Sequence, residues 1–210
     1  MKSALKAGLS ALVVGVIVVV GAAVYFMQDD RSSMPTVTQT GQSGKALIGG
    51  PFELVDGSGR TVTDKDFRGK YLLVFFGFTH CPDVCPTALS EIALTLDALG
   101  EVADKVQPLF ISVDPERDTP ELMGEYVAQF HPRIMGLTGS PDQVADVAKA
   151  YRVYYKKSIP EEEIGKEDPF YVMDHSAITY LMSPDGDFLK HFSHGTAPDE
   201  MAAAIRDVVQ

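Results

Sequence analysis

Two cysteines, Cys81 and Cys85 in the stretch FTHCPDVCP, are the only ones in the 210-residue chain. Three residues separate them, where dithiol oxidoreductases usually have two. The pair can act as a redox couple, a structural cross-link or part of a metal site. Positions i and i+4 lie one helical turn apart, so the two sulfurs can converge on one side. That geometry suits two thiolates on one metal and equally permits a disulfide, although a disulfide here closes only a tiny loop and adds little chain-entropy stabilisation. Pro86 in a favourable first-turn position places Cys85 immediately before a helix. The positive helix end should then lower the pKa of Cys85.

Soft thiolates select Cu(I), zinc and iron–sulfur clusters. Clusters generally need four cysteines, and structural zinc needs four nitrogen or sulfur ligands, so zinc would require two histidines here. Copper is satisfied by two cysteines and one histidine. The chain has five histidines: His80, His131, His175, His191 and His194. His80 adjoins Cys81, but neighbouring side chains on an extended segment diverge. His131 follows a predicted helix and reads as a surface cation, and His191 and His194 read as solvated positions at a strand end. His175 is different, because VMDHSAITYL puts it just before a predicted strand. In thioredoxin-like proteins a loop bearing a cis-proline approaches the cysteine loop there; in this chain Ser176 and Ala177 take that place. A histidine so placed either joins the cysteines or is merely hydrogen-bonded to Asp174 or to backbone.

The elements that must position these groups are legible in the apolar patterning. YLLVFFGF, residues 71–78, is a short aromatic run and reads as a buried central strand ending at the cysteine loop. Between it and the strand QPLFISV, PTALSEIALTLDALG carries Leu89, Ile92, Leu96 and Leu99 at helical spacing, with Gly100 as a stop. A βαβ unit makes the two strands parallel. Further helices are predicted with Thr119 and Ser140 as N-caps, each followed by proline, and a short strand IMGLTG lies between them. AITYLMSPDGDFLKHF reads as a hairpin turning at Pro184-Asp185-Gly186, FELVDGSGRTVT as another turning at residues 57–59, and a helix from about 198 to 209 closes the chain. Parallel strands followed by an antiparallel hairpin and a last helix describe an α/β, thioredoxin-like fold. The cysteine loop then lies at the carboxyl end of a central strand, where open α/β sheets place ligands.

Residues 7–27 contain no charge and are long enough to span a bilayer, which needs ~20 apolar residues. Lys2 and Lys6 before the run and Asp29 and Asp30 after it orient the amino terminus to the cytoplasm. A cleaved signal peptide is the rival reading, but its apolar core usually spans only ~7–15 residues. Residues 1–27 are therefore expected to form an uncleaved N-terminal transmembrane helix. Residues 28–44 are polar and rich in Ser, Thr and Gly, which reads as a flexible linker. The folded domain is expected to cover 45–210. There, 15 Lys and Arg face 27 Asp and Glu, a net charge of −12. Nucleic acid is excluded as a partner on that balance, since phosphate binding needs clustered positive charge.

Three ordered motifs, FGFTHCPDVCPTAL, FISVDPERDTPE and MDHSAITYLMSPDG, resemble the Sco/SenC family of membrane-anchored copper proteins of cytochrome c oxidase assembly. The similarity runs from about Leu47 to the end. The resemblance implies that Cys81, Cys85 and His175 bind Cu(I) or Cu(II) on a thioredoxin-like fold. It further implies delivery of copper to the CuA site of oxidase subunit II, or reduction of that subunit's cysteines so that copper can enter. Ser183 stands where family members often have Asp, a change confined to a turn. Asp114 and Asp118 lie in a family-like segment and are candidates for supporting the site, as is Asp174.

Two functions follow. One is a copper metallochaperone exchanging its ligands stepwise with an acceptor's thiols. The other is a thiol:disulfide oxidoreductase in which Cys81 attacks and Cys85 resolves the mixed disulfide. Both can coexist, because metal binding needs reduced thiols. A thiol peroxidase is a weaker third reading, resting on architecture alone. The amino terminus has no Arg-rich, Ser-rich presequence, so the expected location is a bacterial inner membrane with the domain in the periplasm. Expected partners there are subunit II, other copper chaperones and thiol reductants.

Overall fold

The computed structural model describes residues 47–167 and 169–209. The expected membrane segment and linker lie outside the described residues. Among those described, no helix is long and apolar enough to cross a membrane.

A seven-stranded sheet has the order β2-β1-β5-β4-β3-β8-β9. Its strands are β1 (Glu53–Asp56), β2 (Thr61–Thr63), β3 (Tyr71–Gly77), β4 (Val106–Ser112), β5 (Met135–Thr138), β8 (Ile178–Met182) and β9 (Phe188–Ser193). β3, β4 and β5 run parallel, while β8 pairs antiparallel with β3, and β1 with β5. The unbroken apolar sequence of β3 has a direct cause in this order. With β4 on one side and β8 on the other, Leu73, Val74, Phe75 and Phe76 are at most 1% exposed. Each such side chain contributes about 1.5–3 kcal/mol by leaving water, which fixes β3 as the rigid base of the cysteine loop.

Among the described residues the α-helices are α1 (Val84–Leu99), α2 (Pro120–Ala128), α3 (Pro141–Ala150) and α4 (Pro198–Arg206). Leu89, Ile92, Leu96 and Leu99 form the buried stripe of α1, as their spacing requires. The hydroxyls of Thr119 and Ser140 cap α2 and α3, accepting the N–H groups of Leu122 and Gln143.

Two features differ from expectation. α1 begins at Val84 rather than Pro86, so Cys85 is the second residue of the helix and not the residue before it. Pro86 tolerates the third position because the first N–H groups of a helix have no partner within it; the N–H of Thr87 is the one that bonds back to the Asp83 carbonyl. The second feature is a separate two-stranded ribbon, β6 (Tyr155–Ser158) with β7 (Val172–His175), which pairs Tyr155 with His175. His175 thus closes a strand outside the main sheet, where a loop was expected.

Candidate metal centre

The end of β3 brings the backbone to Phe78, after which the chain turns sharply. The N–H of Cys81 bonds to the Phe78 carbonyl at 3.3 Å. α1 then starts beneath it and carries Cys85 into the core, with no exposed surface, while Cys81 stays partly accessible. Gly77 makes this packing possible. A Cβ on it would lie 2.6 Å from the Cys85 sulfur and 2.8 Å from the Phe110 ring.

The ribbon delivers His175 from the other side. Its Nε2 stands 3.6 Å from the Cys85 sulfur. Among the described residues, Cys81, Cys85 and His175 form a group whose donor atoms all lie within 4.8 Å of one another. Bonds of about 2.0–2.3 Å from a first-row metal to nitrogen and sulfur would hold three trigonal donors about 3.8 Å apart, so the group needs little closure to take one ion. The imidazole meets Phe75 and Phe78 edge-on, with centroids 6.2 and 5.9 Å away. Its Nδ1 lies 3.2 Å from the Ser176 carbonyl oxygen. That contact assigns the ring proton to Nδ1 and leaves Nε2 free to ligate. Asp174, the expected orienter, is exposed and takes no part in the contact; β-strand alternation turns it away from its neighbour.

The two thiols are electrostatically unequal, in the opposite sense from expectation. The Cys81 pKa is lowered to about 3, foremost by the hydrogen bond from the Cys85 side chain, with further support from the backbone N–H groups of Asp83 and Cys85. The Cys85 N–H donates to the Cys81 sulfur at 3.4 Å. The helix end therefore acts on Cys81, whose sulfur lies over the first turn. Cys85 is raised, first by giving its proton to the bond with Cys81 and then by burial, although the Phe78 N–H partly offsets this. The pair carries one proton and one negative charge, a nucleophilic thiolate at the rim above a buried thiol.

The acidic pair of VDPERDTP divides its work. Asp118 is 1% exposed and accepts hydrogen bonds from the Ser112 and Thr79 hydroxyls, both at 2.6 Å, and from the Thr79 N–H. It thereby ties the cysteine loop to the end of β4, and burial raises its pKa. Asp114 touches neither cysteine; it binds Arg117 and Tyr171. Of the other histidines, His80 is half exposed beside Thr79, and His191 and His194 are exposed. His131 is less exposed than expected: its side chain is mostly covered, its Nδ1 accepts the Arg133 N–H, and its Nε2 lies 3.7 Å from an Asp97 carboxylate oxygen. Nothing in the sequence marks Gly77, Phe78, Thr79, Arg117 and Tyr171 as residues that meet around the loop.

The SCO1/SenC family model matches residues 40–210. This chain belongs to the SCO1/SenC family. It is 44% identical over 180 residues to an Arabidopsis thaliana protein, SCO1 homolog 1, mitochondrial, covering 85% of this chain and 52% of the relative. To the human SCO1 homolog, mitochondrial, it is 47% identical over 164 residues, 77% of this chain and 53% of that protein. The chain thus spans about half the length of these curated relatives. Among solved structures, Bradyrhizobium japonicum ScoI with copper bound is 51% identical, with 76% of this chain and 98% of that one aligned at a TM-score of 0.68. Yeast Sco1 with copper bound is 39% identical, covering 77% and 88% at a TM-score of 0.68. These neighbours support the thioredoxin-like architecture of the described domain.

Proposed function

We propose that the chain is a membrane-anchored copper metallochaperone that holds one copper through Cys81, Cys85 and His175. The observation that carries this reading is the convergence of those three donors within 4.8 Å. Two thiolates and an imidazole match the softness of Cu(I) and are compatible with Cu(II). A coordination set short of four leaves an approach for an incoming thiol, which suits a cargo that must be released. The copper-bound structures of the Bradyrhizobium and yeast relatives lend support. The recipient in this reading is the CuA centre of cytochrome c oxidase subunit II, an assignment resting on family membership. Residues 1–27 anchor the protein in a bacterial inner membrane, 28–44 tether it, and 45–210 work in the periplasm, where other copper chaperones and thiol reductants supply metal and keep the pair reduced.

The unequal thiols favour a second activity. The Cys81 thiolate can attack a disulfide sulfur of the oxidase subunit or another exported protein, forming a mixed disulfide and releasing one partner thiolate. Cys85 passes its proton to the released partner thiolate, then attacks Cys81 and expels the second partner thiolate. The partner gains two electrons, and this pair ends as a disulfide.

Titration of the reduced protein with copper, alongside His175→Ala, tests the first reading. One tightly bound copper with thiolate charge-transfer absorption, weakened and altered in the variant, is the expected result. Copper affinity indifferent to His175, with rapid reduction of a partner disulfide, would replace it with the second reading.

A further inference from the structure

The ribbon bearing His175 lies outside the main sheet. β8 begins three residues after His175 and holds that end of the ribbon, while at the other end a set of contacts gathers around Arg117. Its Nε donates to Asp114 at 2.5 Å, and its Nη1 donates to the Tyr171 carbonyl at 3.1 Å. The guanidinium carbon lies 3.6 Å from the Tyr171 ring centroid and 5.7 Å from that of Phe78.

Those two rings belong to the two halves of the site. Tyr171 immediately precedes β7 and is 9% exposed; its hydroxyl donates to Asp114 at 2.9 Å. Phe78 is 2% exposed, accepts the Cys81 N–H through its carbonyl, donates its own N–H to the Cys85 sulfur, and meets the His175 ring edge-on. Arg117 therefore bridges the base of the ribbon and the residue that organises both cysteines. Its Nη2 is buried and has no hydrogen-bond partner among the described residues, so the side chain sits where its plane can face aromatic rings rather than where every donor is satisfied.

We propose that Arg117 is a positioning residue: held between Tyr171 and Phe78, its guanidinium sets the separation of the His175 imidazole from the cysteine pair. The proposal rests on the three-donor reading of the site. It requires a planar, forked cation, which lysine cannot supply. Disturbing it should act on the nitrogen ligand and spare the thiols.

The test uses Arg117→Lys and Tyr171→Ala in the full chain. In the copper-free protein, the His175 ring protons should be displaced by the ring currents of Phe75 and Phe78, and the displacement should shrink in both variants. On Cu(II) loading, the single nitrogen-coupled EPR species of the parent should become heterogeneous, with affinity falling about tenfold or more, as for other partners that orient metal ligands. Reaction of the cysteine pair with an aromatic disulfide should stay within about twofold of the parent. Unchanged His175 signals and EPR in either folded variant would overturn the proposal. So would loss of fold in both, or thiol reactivity lost in step with the His175 signals, since Arg117 would then be a general structural residue. A parent that shows the ring-current shifts yet binds no copper would sink the copper reading and leave the positioning role standing.

Discussion

Cys81, lowered to about 3, should react with thiol reagents on a pH profile unlike that of an ordinary cysteine. An unperturbed thiol of pKa about 8.5 is only ~0.03% ionised at pH 5, whereas Cys81 is fully ionised. Intrinsic nucleophilicity falls with pKa at a Brønsted slope of about 0.45, so a drop of about 5.5 in pKa costs ~300-fold per thiolate. The product makes Cys81 about tenfold faster than a free cysteine at pH 5 and roughly 70-fold slower at pH 8. Stopped-flow reaction of the reduced protein with dithiodipyridine, which forms a mixed disulfide before Cys85 closes the ring, reads this directly. The expected rate is nearly flat from pH 5 to 8. Cys85→Ala tests the cause, because the Cys85 side chain is the largest contributor to the lowered Cys81 pKa; removing that bond should raise the Cys81 pKa and turn the flat profile into one that climbs with pH through the raised value. A parent rate climbing about tenfold per pH unit toward pH 8.5, as for an unperturbed thiol, would refute the reasoning, as would initial attack by Cys85 identified by trapping and mass spectrometry.

Gly77→Ala should destabilise the domain by about 1–3 kcal/mol in urea unfolding, since its Cβ would press on the Cys85 sulfur and the Phe110 ring; wild-type stability would show that the close approach relaxes freely. Asp118 has a folded-state pKa above its unfolded value, so its stabilising contribution is complete below the unfolded carboxyl range and lost as pH rises through the folded value. The stability of the parent relative to Asp118→Asn should therefore decline as pH rises above about 4, with a limiting slope of about 1.4 kcal/mol per pH unit; a difference constant with pH would contradict the burial argument. Long-range nitrogen–proton NMR should find neutral His175 protonated on Nδ1, facing the Ser176 carbonyl, and protonation on Nε2 would undo the assignment of the free nitrogen.

The sheet and helices were legible because their signals are local. The apolar run of β3, the stripe of Leu89, Ile92, Leu96 and Leu99, and the Thr-Pro and Ser-Pro caps each encode an element within a few residues. The ribbon was not, because β6 is YKKS and β7 is VMDH, short segments with little buried surface on either strand. The convergence of Cys81, Cys85 and His175 was expected through motif resemblance, and the three do meet, while the charge division between the thiols was assigned in reverse. That reversal came from one misplaced boundary: starting the helix at Pro86 put Cys85 at its positive end, whereas starting at Val84 puts Cys85 in the core and Cys81 over the first turn. Thr79, Arg117 and Tyr171 were illegible for a different reason. Their partners, Asp118, Phe78 and Asp114, are brought to them by the fold at separations that leave no periodic mark in the sequence.

The central claim is that two sulfurs and one imidazole nitrogen hold a single copper. X-ray absorption on the protein loaded with one equivalent of Cu(I) tests it most directly. The expected first shell is two sulfurs at about 2.2–2.3 Å and one nitrogen at about 2.0 Å, with the nitrogen lost in His175→Ala. A shell of sulfur alone, identical in parent and variant, would contradict the account.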